Sequence, residues 1–318
     1  MSAPVLASTP ARGAAPLLRI AHLSKTFGGL HAVRDVSFDL AAGEMLALIG
    51  PNGAGKTTCF NMVNGQLKPD SGSVVLAGSE LSGLRPDRIW RLGVGRTFQI
   101  AETFASLTVV ETVQLALLSH AGRVFRAWRS ARLQFRDEAL ALLASIGMDA
   151  QAERPMSVLA YGDVKRVELA MALANQPRLL LMDEPTAGMG PAERNDLMAL
   201  TRNLARERGI GVLFTEHSMD VVFAHADRMI VLARGKLIAE GEPAVVRDDP
   251  QVREVYFGMG TTFGQAVSGG TVPSQGADTR TASAGAGTGA VGVMPLAGPA
   301  GSGGHAAPAT GTRAREDA

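Results

Sequence analysis

Apolar and polar positions follow two periods along this chain. Residues 18–23 and 36–40 alternate in the manner of half-buried strands, and residues 45–49 form a short unbroken apolar run, the mark of a strand buried on both faces. Glycine-rich sequence follows at once. A helix is predicted from near Gly55, carrying Phe60 and Val63 and stopping at the pair Asn64-Gly65. Between residues 101 and 154 the period becomes helical: Val109, Val113, Ala116 and Leu117 share one face, and Val124, Trp128, Ala131 and Phe135 share the face of a second helix. Further buried strands are predicted at residues 178–182 and 210–214, separated by a helix that opens at Pro191 and carries Leu197, Leu200 and Leu204. Strands alternating with helices predict an α/β fold with a largely parallel sheet covered on both faces and a helical insertion.

Composition divides the chain. From residue 261 onward Gly, Ala, Ser and Thr dominate and large apolar side chains nearly vanish, so residues 261–318 are expected to be a disordered tail that buries too little surface to offset its ordering entropy. Residues 1–16 read as a flexible arm, and residues 17–260 as the folded domain, with its helical part at about 101–175. The 46% apolar content of the 318 residues suffices for a sizeable core. A formal net charge of +1 gives no field that would recruit nucleic acid, and none is expected as a partner. The single cysteine, Cys59, excludes an internal disulfide and a Cys-rich zinc site; it reads as a small buried residue in a reducing compartment. No apolar run reaches the roughly 18–20 residues of a spanning helix, and the N-terminus lacks the features of a signal peptide.

The candidate chemistry starts at residues 50–57, which satisfy G-x-x-x-x-G-K-[ST] between a buried strand and a helix. Gly50, Gly53 and Gly55 allow backbone N–H groups close to phosphate oxygens, and the loop is completed by Pro51, Asn52 and Ala54. The helix N-terminus favours negative charge, Lys56 adds a point charge at the β and γ oxygens, and Thr57, followed by Thr58, supplies a hydroxyl for magnesium. The expected ligands are ATP and Mg2+. Downstream, the apolar strand at residues 179–182 runs into two carboxylates at the strand edge where parallel α/β sheets bind ligands. Asp183 is placed to hold magnesium, and Glu184 to polarise an attacking water.

With these two motifs in order, the chain resembles the ATP-binding cassette (ABC) proteins over about residues 17–258. The resemblance implies a P-loop NTPase fold: a RecA-like parallel sheet core, an N-terminal antiparallel β subdomain and a helical subdomain. It places Phe27 at the aromatic position that stacks on adenine and makes Gln99 the Q-loop glutamine, near the metal and the attacking water. His217 matches the switch histidine that contacts the γ-phosphate. The signature segment resembles Leu159, Ala160, Tyr161, Gly162 and Asp163, with Ala160 and Asp163 where the family usually has serine and glutamine. In dimeric cassettes this segment faces the nucleotide held by the other subunit, so its deficit falls on the partner's site. Gly190 stands where many cassettes have aspartate.

An ATPase of this kind positions and neutralises charge, and its work is done on something else. The resemblance implies two separate permease subunits, a second cassette in a heterodimer, an indirect link to an extracytoplasmic solute-binding protein, and a place on the cytoplasmic face of the plasma membrane. The segments around Phe27, Gln99 and Tyr161, together with the ending at residues 253–258, are similar to the branched-chain amino acid import cassettes. That similarity implies uptake of branched-chain amino acids or a related small polar solute. Lipopolysaccharide-export cassettes, soluble cassettes acting on ribosomes or DNA, and a catalytically weak regulatory subunit are the alternatives. Arg123, Arg126, Arg129, Arg132 and Arg136 form either a solvated helix face or a contact for lipid headgroups or a permease.

Overall fold

The computed structural model describes residues 15–97, 106–122 and 134–257. Its first strand, β1 (Leu18–Phe27), turns at Gly28 and Gly29, both at positive φ, and pairs antiparallel with β2 (Leu30–Leu40). The strand continues past the predicted alternation because His22 and Asp35 take positive φ at a bulge, which shifts the register and breaks the period of two. Strands β3 (Met45–Ile49), β4 (Ser71–Leu76) and β5 (Ser79–Glu80) follow, and β4 and β5 complete an antiparallel sheet of order β2-β1-β4-β5.

The second sheet takes β3 together with β6 (Val94–Arg96), β7 (Leu179–Asp183), β8 (Gly211–Thr215), β9 (Arg228–Ala233) and β10 (Lys236–Gly241), in the order β10-β9-β3-β8-β7-β6. Its pairings are parallel except that of the edge strand β10. The apolar runs that show no alternation in hydropathy do alternate in packing. Met45, Ala47, Ile49, Leu180, Met182, Val212 and Phe214 enter one core, and Leu46, Leu48, Leu179, Leu181 and Leu213 enter another.

On the second of these faces sit the antiparallel sheet and α1 (Lys56–Val63), through Leu18, Ile20, Phe38, Val74, Cys59 and Phe60. A short α2 (Pro86–Arg91) follows on the same side through Ile89. The first face is covered by α3 (Val109–His120), α4 (Arg136–Ser145), α5 (Tyr161–Leu173), α6 (Pro191–Arg208) and α7 (Met219–His225), then α8 (Pro243–Arg247) and α9 (Pro250–Phe257). Helix α3 starts in a capping box: the Thr108 hydroxyl accepts the Glu111 N–H at 3.3 Å, and the Glu111 carboxylate accepts the Thr108 N–H at 3.0 Å.

The predicted second helical face needs correction at its one described member. Phe135 sits at the left-handed N-cap of α4 (φ 58°), so the helix starts after it, and Ala139 and Leu143 carry its core contact instead. Val124, Trp128, Ala131 and the arginines from Arg123 to Arg132 lie outside the described residues, as do residues 1–14 and 258–318. Arg136 pairs with Glu153.

Candidate functional site

Strand β3 delivers the chain into the glycine loop and α1 receives it. Gly50 has φ 151°, and a Cβ there would stand 2.3 Å from the Leu232 carbonyl oxygen; Gly55 has φ 105°, and its Cβ would stand 2.4 Å from the Ala32 oxygen. The two backbones on either side therefore leave room for hydrogen only. Gly55 is also the N-cap of α1 and makes no side-chain cap, so the first-turn N–H groups face the loop. Lys56, in that first turn, is buried, and its Nζ donates to the Gly50 oxygen at 2.6 Å and the Pro51 oxygen at 3.2 Å. Burial lowers its pKa, and the Glu184 and Asp183 carboxylates counter that shift.

The carboxyl ends of β7 and β8 meet beside this loop, and three successive residues after Phe214 grip the chain after Met182. The Thr215 hydroxyl donates to Asp183 Oδ1 at 2.7 Å and accepts the Glu184 N–H at 3.0 Å. The Glu216 carboxylate accepts the Thr186 hydroxyl at 2.6 Å, the Thr186 N–H at 3.1 Å and the His217 N–H at 3.2 Å. His217 Nε2 lies 2.7 Å from Glu184 Oε1. These contacts hold Glu184 at φ 49°, a left-handed backbone that costs a non-glycine residue about 1–3 kcal/mol. The other Asp183 oxygen faces Arg96 Nη2 at 3.6 Å, and Arg96 Nη1 donates to Asn61 at 3.1 Å and Gln66 at 2.9 Å.

A cleft of about 610 Å³ opens beside these groups, lined by Phe27, residues 52–58, Glu184 and His217 together with His31, Arg34 and Arg234. Phe27 is 46% exposed, with the Lys25 ammonium 5.6 Å from its ring centroid, and the same cleft is lined by the glycine loop and Lys56. An aromatic face followed by an anion cradle fits a base joined to a chain of phosphates. The hard oxygens of Thr57 and Asp183 suit Mg2+. No cluster of three or more His, Cys, Asp or Glu among the described residues would hold a metal by itself.

Of the residues read from the sequence, Phe27, residues 52–58, Glu184 and His217 thus line one cleft, Gly50 and Pro51 hold Lys56 through their carbonyls, and Asp183 adjoins Glu184 without lining the cleft, its charge acting on Lys56; Gln99 lies outside the described residues. Leu159 to Asp163 do not line this cleft. Ala160 is the N-cap of α5 without a side-chain cap, Tyr161 is 47% exposed, and Asp163 sits in the first turn. Arg34, Arg96, Thr215, Glu216 and Arg234 escape sequence reasoning. Arg96 stands in the segment around Gln99, and Thr215 and Glu216 directly precede His217; for Arg34 and Arg234, a β-strand residue and a turn residue with φ 49°, no sequence signal exists.

Comparison with known proteins agrees with this geometry. A family model for ABC transporters matches residues 33–187, and one for the branched-chain amino acid ATP-binding cassette transporter matches residues 236–258. The chain is 37% identical over 250 residues to the high-affinity branched-chain amino acid transport ATP-binding protein BraF of Pseudomonas aeruginosa, covering 76% of this chain and 98% of the relative. It is 39% identical over 250 residues to the corresponding LivG protein of Escherichia coli, with the same coverage. Among solved structures, the ADP conformation of an ATP-binding cassette of an ABC transporter superposes with TM-score 0.71 at 31% identity, covering 77% of this chain and all of that one. A dimeric bacterial ABC transporter cassette superposes with TM-score 0.61 at 27% identity, covering 71% of this chain and 98% of that one.

Proposed function

The chain belongs to the ABC transporter family, and from that premise we propose that it is the ATP-hydrolysing subunit of an importer for branched-chain amino acids or a related small polar solute. The observation that carries the reading is the meeting of Lys56 with the Glu184–His217 pair in one cleft. The match at residues 236–258 favours the import cassettes over the lipopolysaccharide-export and soluble cassettes.

In this reading the loop N–H groups and Lys56 bind the phosphates, Phe27 holds the base, and Arg34 and Arg234 add positive charge to the cleft lining. Glu184 orients the attacking water and takes up its proton, and His217 fixes the Glu184 carboxylate and reaches the terminal phosphate. Thr57 and Asp183, with Gln99, would hold Mg2+, which when bound supplies charge neutralisation across the phosphates.

As a subunit of a transporter, this cassette works through membrane partners. No helix among the described residues is long and apolar enough to cross a membrane. The partners proposed are two permease subunits and a second, non-identical cassette, with the chain peripheral on the cytoplasmic face and the solute-binding protein engaged through the permeases. Affinity purification from detergent-solubilised membranes tests the assignment: co-purification of polytopic membrane subunits and a second cassette is the expected result. Recovery of ribosomal proteins or DNA factors alone would overturn it.

A further inference from the structure

We propose that Glu216 is a positioning residue for hydrolysis: its buried carboxylate ties the turn after Glu184 to the backbone of His217 and so sets the contact between those two groups. The inference rests on the reading of Glu184 and His217 as the hydrolytic pair.

The argument begins with donors and acceptors. Glu216 is 4% exposed, and three neutral donors converge on it: the Thr186 hydroxyl at 2.6 Å and N–H at 3.1 Å on Oε1, and the His217 N–H at 3.2 Å on Oε2. An ionised carboxylate, an acceptor at both oxygens, matches three converging donors. No neutral side chain of that size does.

The placement gives the group its purpose. Thr186 lies two residues after Glu184, whose left-handed backbone (φ 49°) is already tied on its other side to the Thr215 hydroxyl at 3.0 Å. Thr215 and Glu216 therefore clamp the turn before and after the residue that must be aimed. On its second oxygen Glu216 holds the amide of His217, whose ring meets Glu184 at 2.7 Å. The carboxylate thus closes a ring of contacts running from Glu184 through Thr186, Glu216 and His217 back to Glu184. Both members of the reacting pair are half exposed in the cleft, with side chains 51% and 42% accessible, so neither is fixed by packing. Their mutual geometry depends on the buried link beneath them.

The chemistry of the link makes it separable. In Glu216→Gln the amide oxygen can keep both Thr186 donors, which turns the NH2 group toward the His217 N–H, donor against donor. In Thr186→Val the hydroxyl is lost and the backbone bond stays. Thr186→Ser retains the hydroxyl. None of these changes touches the glycine loop or Lys56.

The test uses the full chain and compares single-turnover ATP hydrolysis, nucleotide affinity from a fluorescent ATP analogue, and the thermal midpoint. Rates are normalised to nucleotide-binding sites. Glu216→Gln and Thr186→Val are expected to lower the hydrolysis rate by about tenfold to a hundredfold, the range that small misplacement of reacting groups produces, with affinity within about twofold of wild type. Thr186→Ser is expected to restore the wild-type rate. A purely structural role predicts a lower thermal midpoint with an unchanged rate per site, and that outcome overturns the proposal. His217→Ala keeps the two readings apart. If it leaves the rate unchanged, the assignment of the hydrolytic pair fails; if it cuts the rate while the Glu216 and Thr186 variants do not, only the positioning role fails.

Discussion

At the scale of single residues, the proposed site divides into groups that bind and the pair that hydrolyses. Lys56 and the loop meet the phosphates whether or not Glu184 is ionisable, so Glu184→Gln is expected to keep ATP affinity while lowering turnover at this chain's own site by about 10²- to 10⁴-fold, the usual contribution of a positioned general base. Equilibrium nucleotide binding and steady-state phosphate release check this, and unchanged turnover with the partner's site disabled would show that another group does the work. Cys59 illustrates the opposite case, a group one turn into α1 that takes no part. It is fully buried, and burial pushes its thiol pKa up to about 12, so thiolate is scarce at neutral pH. Thiol labelling in native buffer at pH 8 is expected to be slow, to accelerate only as denaturant unfolds the chain, and not to be accelerated by nucleotide. Prompt stoichiometric labelling of the native protein would contradict the buried placement. The residues proposed to carry binding and hydrolysis were legible because each belongs to a spaced motif. Glu216 and Arg96 were not, since the sequence cannot say which donors converge on a carboxylate or which carboxylate a guanidinium faces.

At the scale of elements, legibility followed the strength of local signals. β3 and α1 emerged nearly at their observed limits because an apolar run, a glycine loop and a helix-ending Asn-Gly pair stand in succession. β7 and β8 begin one residue later than the apolar pattern suggests, and each ends in a polar residue, Asp183 or Thr215, that continues the ladder into the site. β4, β6, β10 and the helices α2, α7, α8 and α9 gave too short or too weak a period, whereas β9, whose apolar run at residues 229–233 is as long as that of β3, was missed although its signal is there. α4 begins after Phe135, a residue type without cap chemistry, so its start was hidden, whereas Thr108 and Glu111 announce α3. That capping box carries a prediction of its own. Thr108→Ala removes a hydroxyl that accepts one first-turn N–H, at a cost of about 1 kcal/mol. For a domain of this size the thermal midpoint is expected to fall by roughly 2–4 °C. Because Thr108 lies outside the nucleotide cleft, ATP affinity measured on the same sample should not change. A matching loss of affinity would mean that α3 and the phosphate loop are coupled.

At the scale of the whole molecule, the cleft is lined by residues 52–58, Glu184 and His217, but residues 159–163 do not line it. Apolar side chains stand open in both places, Phe27 and Leu30 at the cleft and Val158 and Tyr161 at the start of α5, as surfaces awaiting a partner do. In the proposed heterodimer, α5 of this chain closes the site of the other cassette. Its N-terminus brings backbone N–H groups and a helix dipole to the phosphate there. It also brings Ala160, which offers no hydroxyl, and Asp163, whose carboxylate in the first turn competes with an incoming anion. The two sites should therefore be unequal, with the better chemistry in this chain's own cleft. Silencing that cleft with Glu184→Gln leaves the partner's site as the source of turnover in the purified complex. Adding Ala160→Ser and Asp163→Gln to that background is expected to raise the remaining turnover by about tenfold or more, the scale of one new hydrogen bond to a charged group with a repulsion removed. If the residual rate does not move, the α5 N-terminus does not limit hydrolysis in the partner's site, and the inequality would have to arise within the partner itself.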